Sequence, residues 1–373
     1  MGSEMDRLFM KRALTLAARA RGMTSPNPMV GAVIVRDGKV IAEDFHKRPG
    51  ALHAEALALQ QAQGNAQNAT LYVTLEPCCH KDKRTPPCTG IIIESGIKRV
   101  FVAMEDPNPK VAGKGIAELR KHGIAVAVGI MEKRAKELNE SYIKFITTGM
   151  PFVTLKVAMT LDGKIATPEG QSKWITGERA RKIVHEMRSG VDALLTAIGT
   201  VKADDPSFTA RPGRTRKVKD QQTQGPRRII IDSELETPPD YKVCSVPPET
   251  MLVTRKMTGN AAVQQRAGIL TSKGVKILEY EGERVDLKWL MKKLGDDGVT
   301  SVMIEGGASI NASALNDGIV DKVVFFIAPK IIGNKDSVPA VGGHLLRKLE
   351  DAFRLHDLHV RMVGADVMVE GYL

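Results

Sequence analysis

Leu71-Tyr72-Val73-Thr74-Leu75-Glu76-Pro77-Cys78-Cys79 is an apolar run that breaks at a proline and ends on thiols. Upstream of it stands His53-Ala54-Glu55-Ala56-Leu57-Ala58-Leu59; downstream, Pro86-Pro87-Cys88 opens a helical run through Ile91-Ile92-Ile93 that stops at Gly96. Read as a strand between two helices, these segments bring an imidazole, a carboxylate and two thiols to the point where strand gives way to helix. That point is the usual ligand crevice of an α/β sheet. Zinc held by one His and two thiolates keeps a fourth tetrahedral position for water, and bound water falls from a pKa of about 15.7 to roughly 7. His53, Cys78 and Cys88 are then the metal ligands, and Glu55 is a proton shuttle that does not touch the metal. The reading carries a condition. At about 3.6 residues per turn, His53 and Glu55 lie about 200° apart on a regular helix, so they converge only if His53 sits at the helix entry. Cys88, in a first helical turn, is expected to have its thiol pKa lowered by the dipole and the free N–H groups.

The general zinc-deaminase signature is H-x-E followed by P-C-x-x-C. This chain departs from it, because nine residues, not two, separate Cys78 from Cys88. A closed structural zinc site made of Cys78, Cys79, His80 and Cys88 is a competing reading, but it leaves Glu55 without a task. In a reducing compartment such a thiol cluster is a metal or reactive site more often than a disulfide, and Cys244 stands apart from it.

A chain of 373 residues is long for a single core and suggests two domains. Its 43% hydrophobic and 26% charged residues are those of a soluble globular protein. No apolar run reaches the roughly 18 residues of a membrane span and no signal-peptide pattern opens the chain, so a cytoplasmic protein is expected. The net charge of +11 raises nucleic acid as a partner. Much of that charge gathers in Arg211–Arg228, whose Pro, Gly and Gln content reads as a surface loop. Aromatics are only 4%, leaving little to stack on bases. A phosphorylated small substrate and a phosphate-rich cofactor account for the charge as well, and neither nucleic acid nor membrane is expected as a partner.

The first 150 residues alternate: a helix over 5–20, strands over 30–35 and 39–45 joined at Asp37-Gly38, a helix near His53, the strand ending at Leu75, and the Cys88 helix. Strand 99–104, helix 115–122 and strand 124–128 follow. The pattern restarts near Thr148-Gly149-Met150-Pro151. Strands are expected at 152–158, 192–198, 228–232, 250–254 and 275–279, with helices at 177–189 and 285–295. Val302-Met303-Ile304-Glu305-Gly306-Gly307 then runs from strand through paired glycines into a helix over 309–316, ahead of strand 321–328. Glycines there let backbone N–H groups approach an anion, although a tight turn needed for packing would read the same way.

Longer strings lift these motifs to a family. Pro26-Asn27-Pro28-Met29-Val30-Gly31, HAEALAL, LEPCCHKDKRTPPC and Glu105-Asp106-Pro107-Asn108-Pro109 resemble the pyrimidine deaminase domain of riboflavin biosynthesis. LKVAMTLDGKIA, SKWITG, GTVKADDP and VMIEGGASI resemble the reductase domain of the same bifunctional family. The resemblance covers about 5–370 in order. It implies a cytidine-deaminase-like three-layer α/β domain over 1–148 and a dihydrofolate-reductase-like α/β domain over 149–373. The wide cysteine spacing is usual in this family, whereas Cys79 stands where serine is common.

The implied chemistry is a zinc-dependent deamination of 2,5-diamino-6-(5-phosphoribosylamino)pyrimidin-4-one, followed by NADPH reduction of the ribosyl group to ribityl. The resemblance carries NADP contacts onto Ala158, Trp174, Thr200, Asp204, Ser233 and the turn Gly307, Ala308, Ser309, Ile310, Asn311, Ala312, Ser313. It carries substrate contacts onto Asn27, Lys83 or Arg84, Lys156, Ser172, Arg188, Phe208, Arg211 and Glu305. Arg188 and Arg211 suit a phosphate by their forked donors. The proton source for reduction stays open among Lys156, Asp204 and Asp205. One zinc per chain and a homo-oligomer, a dimer through the reductase half, are implied as well. Two other classes compete: a nucleic-acid deaminase with an accessory domain, and a zinc-binding scaffold without catalysis.

Overall fold

The computed structural model describes residues 3–79, 86–210, 225–256, 260–343 and 348–373. It divides into two compact units, Met1–Gly149 and Met150–Leu373. Within the first, the order is α1 (Glu4–Ala18), β1 (Gly31–Arg36), β2 (Lys39–Phe45), α2 (Ala54–Ala62), β3 (Thr70–Val73), α3 (Cys88–Glu94), β4 (Arg99–Val102), α4 (Lys114–Lys121), β5 (Ala125–Val128), α5 (Glu132–Leu138) and α6 (Glu140–Thr148). The sheet runs β2-β1-β3-β4-β5 among the described residues. β1 is antiparallel to both β2 and β3, while β3, β4 and β5 are parallel.

Local chemistry explains this layout. Asp37 and Gly38 both take positive φ, 52° and 75°, which suits the twist of a two-residue hairpin between β1 and β2. β1 and β3 are buried on both faces, so Ala32, Ile34, Leu71 and Val73 read as a continuous apolar run. α1 lies so close to β1 that a Cβ on Gly31 would sit 2.1 Å from the Ala13 carbonyl oxygen. α5 and α6 close the unit and were not expected from the sequence; their apolar residues are only partly buried around Ala135.

In the second unit β6 (Phe152–Thr160), β7 (Lys164–Ala166), α7 (Glu178–Arg188), β8 (Ala193–Ala197), α8 (Ile198–Asp204), β9 (Arg227–Ile231) and α9 (Lys242–Ser245) come first. They are followed by β10 (Thr250–Arg255), α10 (Ala261–Ser272), β11 (Lys276–Tyr280), α11 (Leu287–Asp296), β12 (Ser301–Ile304), α12 (Ala308–Asn316), β13 (Lys322–Ala328), β14 (Val338–Pro339), β15 (His356–Val363) and β16 (Asp366–Tyr372). The large sheet has the order β11-β10-β9-β8-β12-β6-β13-β16-β15 among the described residues. Strands β6 and β8–β13 pair in parallel; the terminal hairpin β15–β16 adds antiparallel strands. β12 enters late in the chain between β8 and β6. The start of α12 therefore lies at a topological switch point, where α/β sheets bind ligands. Both tryptophans, Trp174 and Trp289, belong to this unit. No described helix is long and apolar enough to cross a membrane.

Candidate active sites

His53 is the N-cap of α2, with extended backbone angles of φ −72° and ψ 163°. The helix begins only after it, which is the condition under which His53 and Glu55 converge. Cys88 opens α3, and Cys78 follows β3. The possible ligand atoms of His53, Cys78 and Cys88 all lie within 4.8 Å of one another. His53 Nδ1 is 3.2 Å from Cys88 Sγ and 3.5 Å from Cys78 Sγ. Glu55 is 3% exposed and bonds the Cys88 thiol. Among the described residues Cys79 is not in this cluster; His80 lies outside the described residues.

One expectation needs correcting. The Cys88 thiol is pushed up, not down: its hydrogen bond with Cys78 and its burial outweigh the short helix α3. The free N–H of Cys88 is turned on Cys78 Sγ, 3.5 Å away. Glu55 is also raised, first by burial and then by the nearby Cys78. The donor set fits zinc: an imidazole and two thiols, close together and shielded, with a buried carboxyl beside them. A divalent ion there would hold both sulfurs as thiolates.

The cluster opens into a cavity of ≈ 400 Å³ lined by Asn27, His46, His53, Glu55, Asp106, Asn108 and Tyr142, among others. Asn27 Nδ2 is 3.1 Å from His46 Nε2, and the His46 ring stands edge-on to His53. Asp106 Oδ1 accepts from Tyr142 Oη at 2.9 Å. His46, Asp106, Asn108 and Tyr142 were not singled out by role in the sequence. The Asp106-Pro107-Asn108 string was the available signal. Lys83 and Arg84 lie outside the described residues.

In the second unit the structure gathers Lys156, Arg188, Phe208 and Glu305. Glu305, one residue past β12, receives Arg188 Nε at 2.6 Å, Arg188 Nη2 at 2.9 Å and Lys156 Nζ at 2.8 Å. Burial alone would raise the Glu305 carboxyl; Lys156 and Arg188 override it and hold the pKa far below the usual range. The forked edge of Arg188, read from the sequence as suited to phosphate, is thus spent on Glu305. The Phe208 ring lies under the same guanidinium at 5.6 Å, with a positive φ of 48° that a bulky side chain rarely adopts. Arg211 is outside the described residues.

The remaining positions are distributed over strands, helices and loops of the second unit. Ala158 is on β6 and Thr200 on α8. Ser172 Oγ reaches Asp204 at 3.4 Å, and Lys173 pairs with Asp204 at 3.0 Å. Asp205 is turned on Lys242, whose N–H it accepts at 2.9 Å. Trp174 is 65% exposed, with Arg181 over its ring. Ser233 Oγ accepts from Tyr280 Oη at 2.7 Å. Gly307 caps α12, and Ala308 and Ser309 begin it; Ile310, Asn311 and Ala312 are buried, and Ser313 is half-buried. A Cβ on Gly307 would meet nothing within 4 Å. Packing does not demand glycine there. Among the described residues, open space beside a helix N-terminus is of the kind that suits an anion.

Two domain families match this chain. The cytidine and deoxycytidylate deaminase zinc-binding region matches residues 3–104, and the RibD C-terminal domain matches residues 151–369. Riboflavin biosynthesis protein RibD of Aquifex aeolicus is 44% identical over 98% of this chain and 98% of its own. The protein of the same name from Escherichia coli K12 is 39% identical, over 97% and 98%. The chain belongs to the RibD family. Acinetobacter baumannii RibD superposes with a TM-score of 0.86 at 36% identity, covering 99% of both chains. A Thermotoga maritima structure, named as a diaminohydroxyphosphoribosylaminopyrimidine deaminase/5-amino-6-(5-phosphoribosylamino)uracil reductase, superposes at 0.85 with 35% identity over 99% and 98%. As a RibD-family protein the chain is a bifunctional deaminase and reductase of riboflavin biosynthesis, with a cytidine-deaminase-like N-terminal domain and a dihydrofolate-reductase-like C-terminal one. It uses Zn²⁺ for the first reaction and NADPH for the second.

Proposed function

We propose that residues 1–148 deaminate 2,5-diamino-6-(5-phosphoribosylamino)pyrimidin-4-one to the corresponding uracil, and residues 149–373 reduce its ribosyl group to ribityl. The observation that carries the first half is the convergence of His53, Cys78 and Cys88 beside buried Glu55. Zinc held by those three supplies an acidified water. With zinc bound, Glu55 would carry a proton from that water to the nitrogen leaving C2, so that ammonia would depart as the ring gains the oxygen. Asn27 binds the ring from the cavity wall, and Lys83 or Arg84 meets the substrate as well.

NADPH supplies the hydride for the second half. Ala158, Trp174, Thr200, Asp204, Ser233 and the Gly307–Ser313 turn would hold it. Lys156 is the favoured proton source because, of the three ion-paired candidates, it alone pairs as an ammonium, which has a proton to give. Asp205 is engaged by Lys242 and Asp204 by Lys173. Ser172, Phe208 and Arg211 complete the substrate side. The test is sequential: the purified chain should release ammonia from the diaminopyrimidine and only then oxidise NADPH. NADPH oxidation without ammonia release from that compound would refute the order.

The same reading makes the protein a cytoplasmic homodimer joined through its reductase half. Support comes from β15 at the sheet edge, where Leu358, Val360 and Met362 are 55%, 65% and 65% exposed at alternate positions, and so on one face. A monomer in sedimentation at micromolar concentration would reject the dimer.

A further inference from the structure

Glu76 is a buried carboxylate that neither reaction uses. It lies between β3 and Cys78 and is 3% exposed. Its Oε2 accepts the N–H of Asp106 at 3.2 Å and of Gly113 at 3.0 Å; its Oε1 accepts the N–H of Ile116 at 3.1 Å. Three donors from one connection, the segment between β4 and the first turn of α4, thus converge on one side chain. The N-cap of α4 is Gly113, which has no side chain to offer, so Glu76 caps that helix from outside. The junction has no slack. A Cβ on Gly115 would stand 2.1 Å from the Pro77 carbonyl oxygen and 3.2 Å from Glu76 Oε1.

The segment held in this way is a wall of the deaminase cavity. Asp106, Asn108 and Val111 line it, and Asp106 Oδ1 also receives Tyr142 Oη and the Asn108 N–H, each at 2.9 Å. The Glu76 backbone leads through Pro77 into Cys78, one of the three candidate metal ligands. One residue therefore ties the ligand-bearing end of β3 to a wall of the cavity.

We propose that Glu76 is a positioning residue for deamination, fixing the distance between the metal cluster and the Asp106–Val111 wall that receives the substrate. The proposal rests on the reading of this cavity as the deaminase site. Glu76 borders the same cavity, but both of its carboxylate oxygens are turned on backbone amides, and through these it acts. Glutamine at this position keeps the volume but turns an NH₂ group against either Ile116 or the Asp106/Gly113 pair, so the wall must shift.

The test uses the full zinc-loaded chain. Glu76→Gln should raise KM for deamination about tenfold or more, with kcat within about threefold of the parent. Zinc content and NADPH oxidation on supplied uracil intermediate should stay at parent levels. Glu76→Ala should move KM further in the same direction. An unchanged KM in both variants overturns the proposal, as does a collapse of kcat with zinc loss at constant KM, which would make Glu76 a support of the ligand strand alone. If both variants fail to fold, Tyr142→Phe releases the other tether of the same wall; it should raise KM, and a parent-like KM there overturns the proposal too. A parent enzyme that releases no ammonia would instead defeat the underlying assignment of the site.

Discussion

Glu55 and the thiols around it separate proton transfer from metal binding residue by residue. Glu55→Gln keeps the side-chain volume and removes the group that carries the proton, so zinc should remain near one per chain while deamination falls by about two orders of magnitude or more. Cys88→Ala should lose zinc and activity together, whereas Cys79→Ala should keep its zinc; metal analysis of the purified variants decides. In the reductase unit the telling residue is Glu305. Its folded-state pKa is depressed, so its contribution to stability is present above the unfolded carboxylate value and is lost as pH falls through the folded one. Lys156→Met removes one of the cations that hold it down. The acid side of thermal unfolding followed by tryptophan fluorescence should then move to higher pH, and an unshifted acid limb would show that Arg188 alone maintains the carboxylate.

Elements respond to crowding that single side chains do not reveal. Gly31→Ala forces α1 away from β1, because the new Cβ meets backbone at 2.1 Å. Overpacking of this kind costs about 1–3 kcal/mol, readable as a lowered temperature of zinc release. Gly307→Val is the opposite case: its space is open, so the fold should hold while NADPH binding, measured by fluorescence titration, weakens about tenfold or more. The same contrast explains what the sequence could disclose. Strands β1 and β3 announce themselves by unbroken apolar runs, and α2, α3 and α12 by glycine or proline at their boundaries. The hairpin β15–β16 was not read, since β15 is exposed along nearly its whole length and presents no buried face. α10 buries only Ala267 and Leu270 and gives no clear stripe. The metal set was legible because its ligands lie in short motifs; His46 and Tyr142 were not, because distant segments bring them to the cavity only after folding.

For the molecule as a whole, the decisive property is separation. The deaminase residues and their core lie within Met1–Gly149, and the reductase residues within Met150–Leu373, on cores of their own. Glu55→Gln should therefore reduce supplied uracil intermediate at close to the parent rate, and Gly307→Val should still release ammonia. Loss of reduction in a folded Glu55→Gln protein would mean that the halves share a site or a switch. The placement of both tryptophans in the second unit turns this into an optical matter. Indole emission is a built-in reporter of the reductase half alone, while a colorimetric chelator watches the deaminase half through its metal. A single heating run on unlabelled protein thus records two melting curves, and whether they coincide says whether the chain gives way as one body or as two.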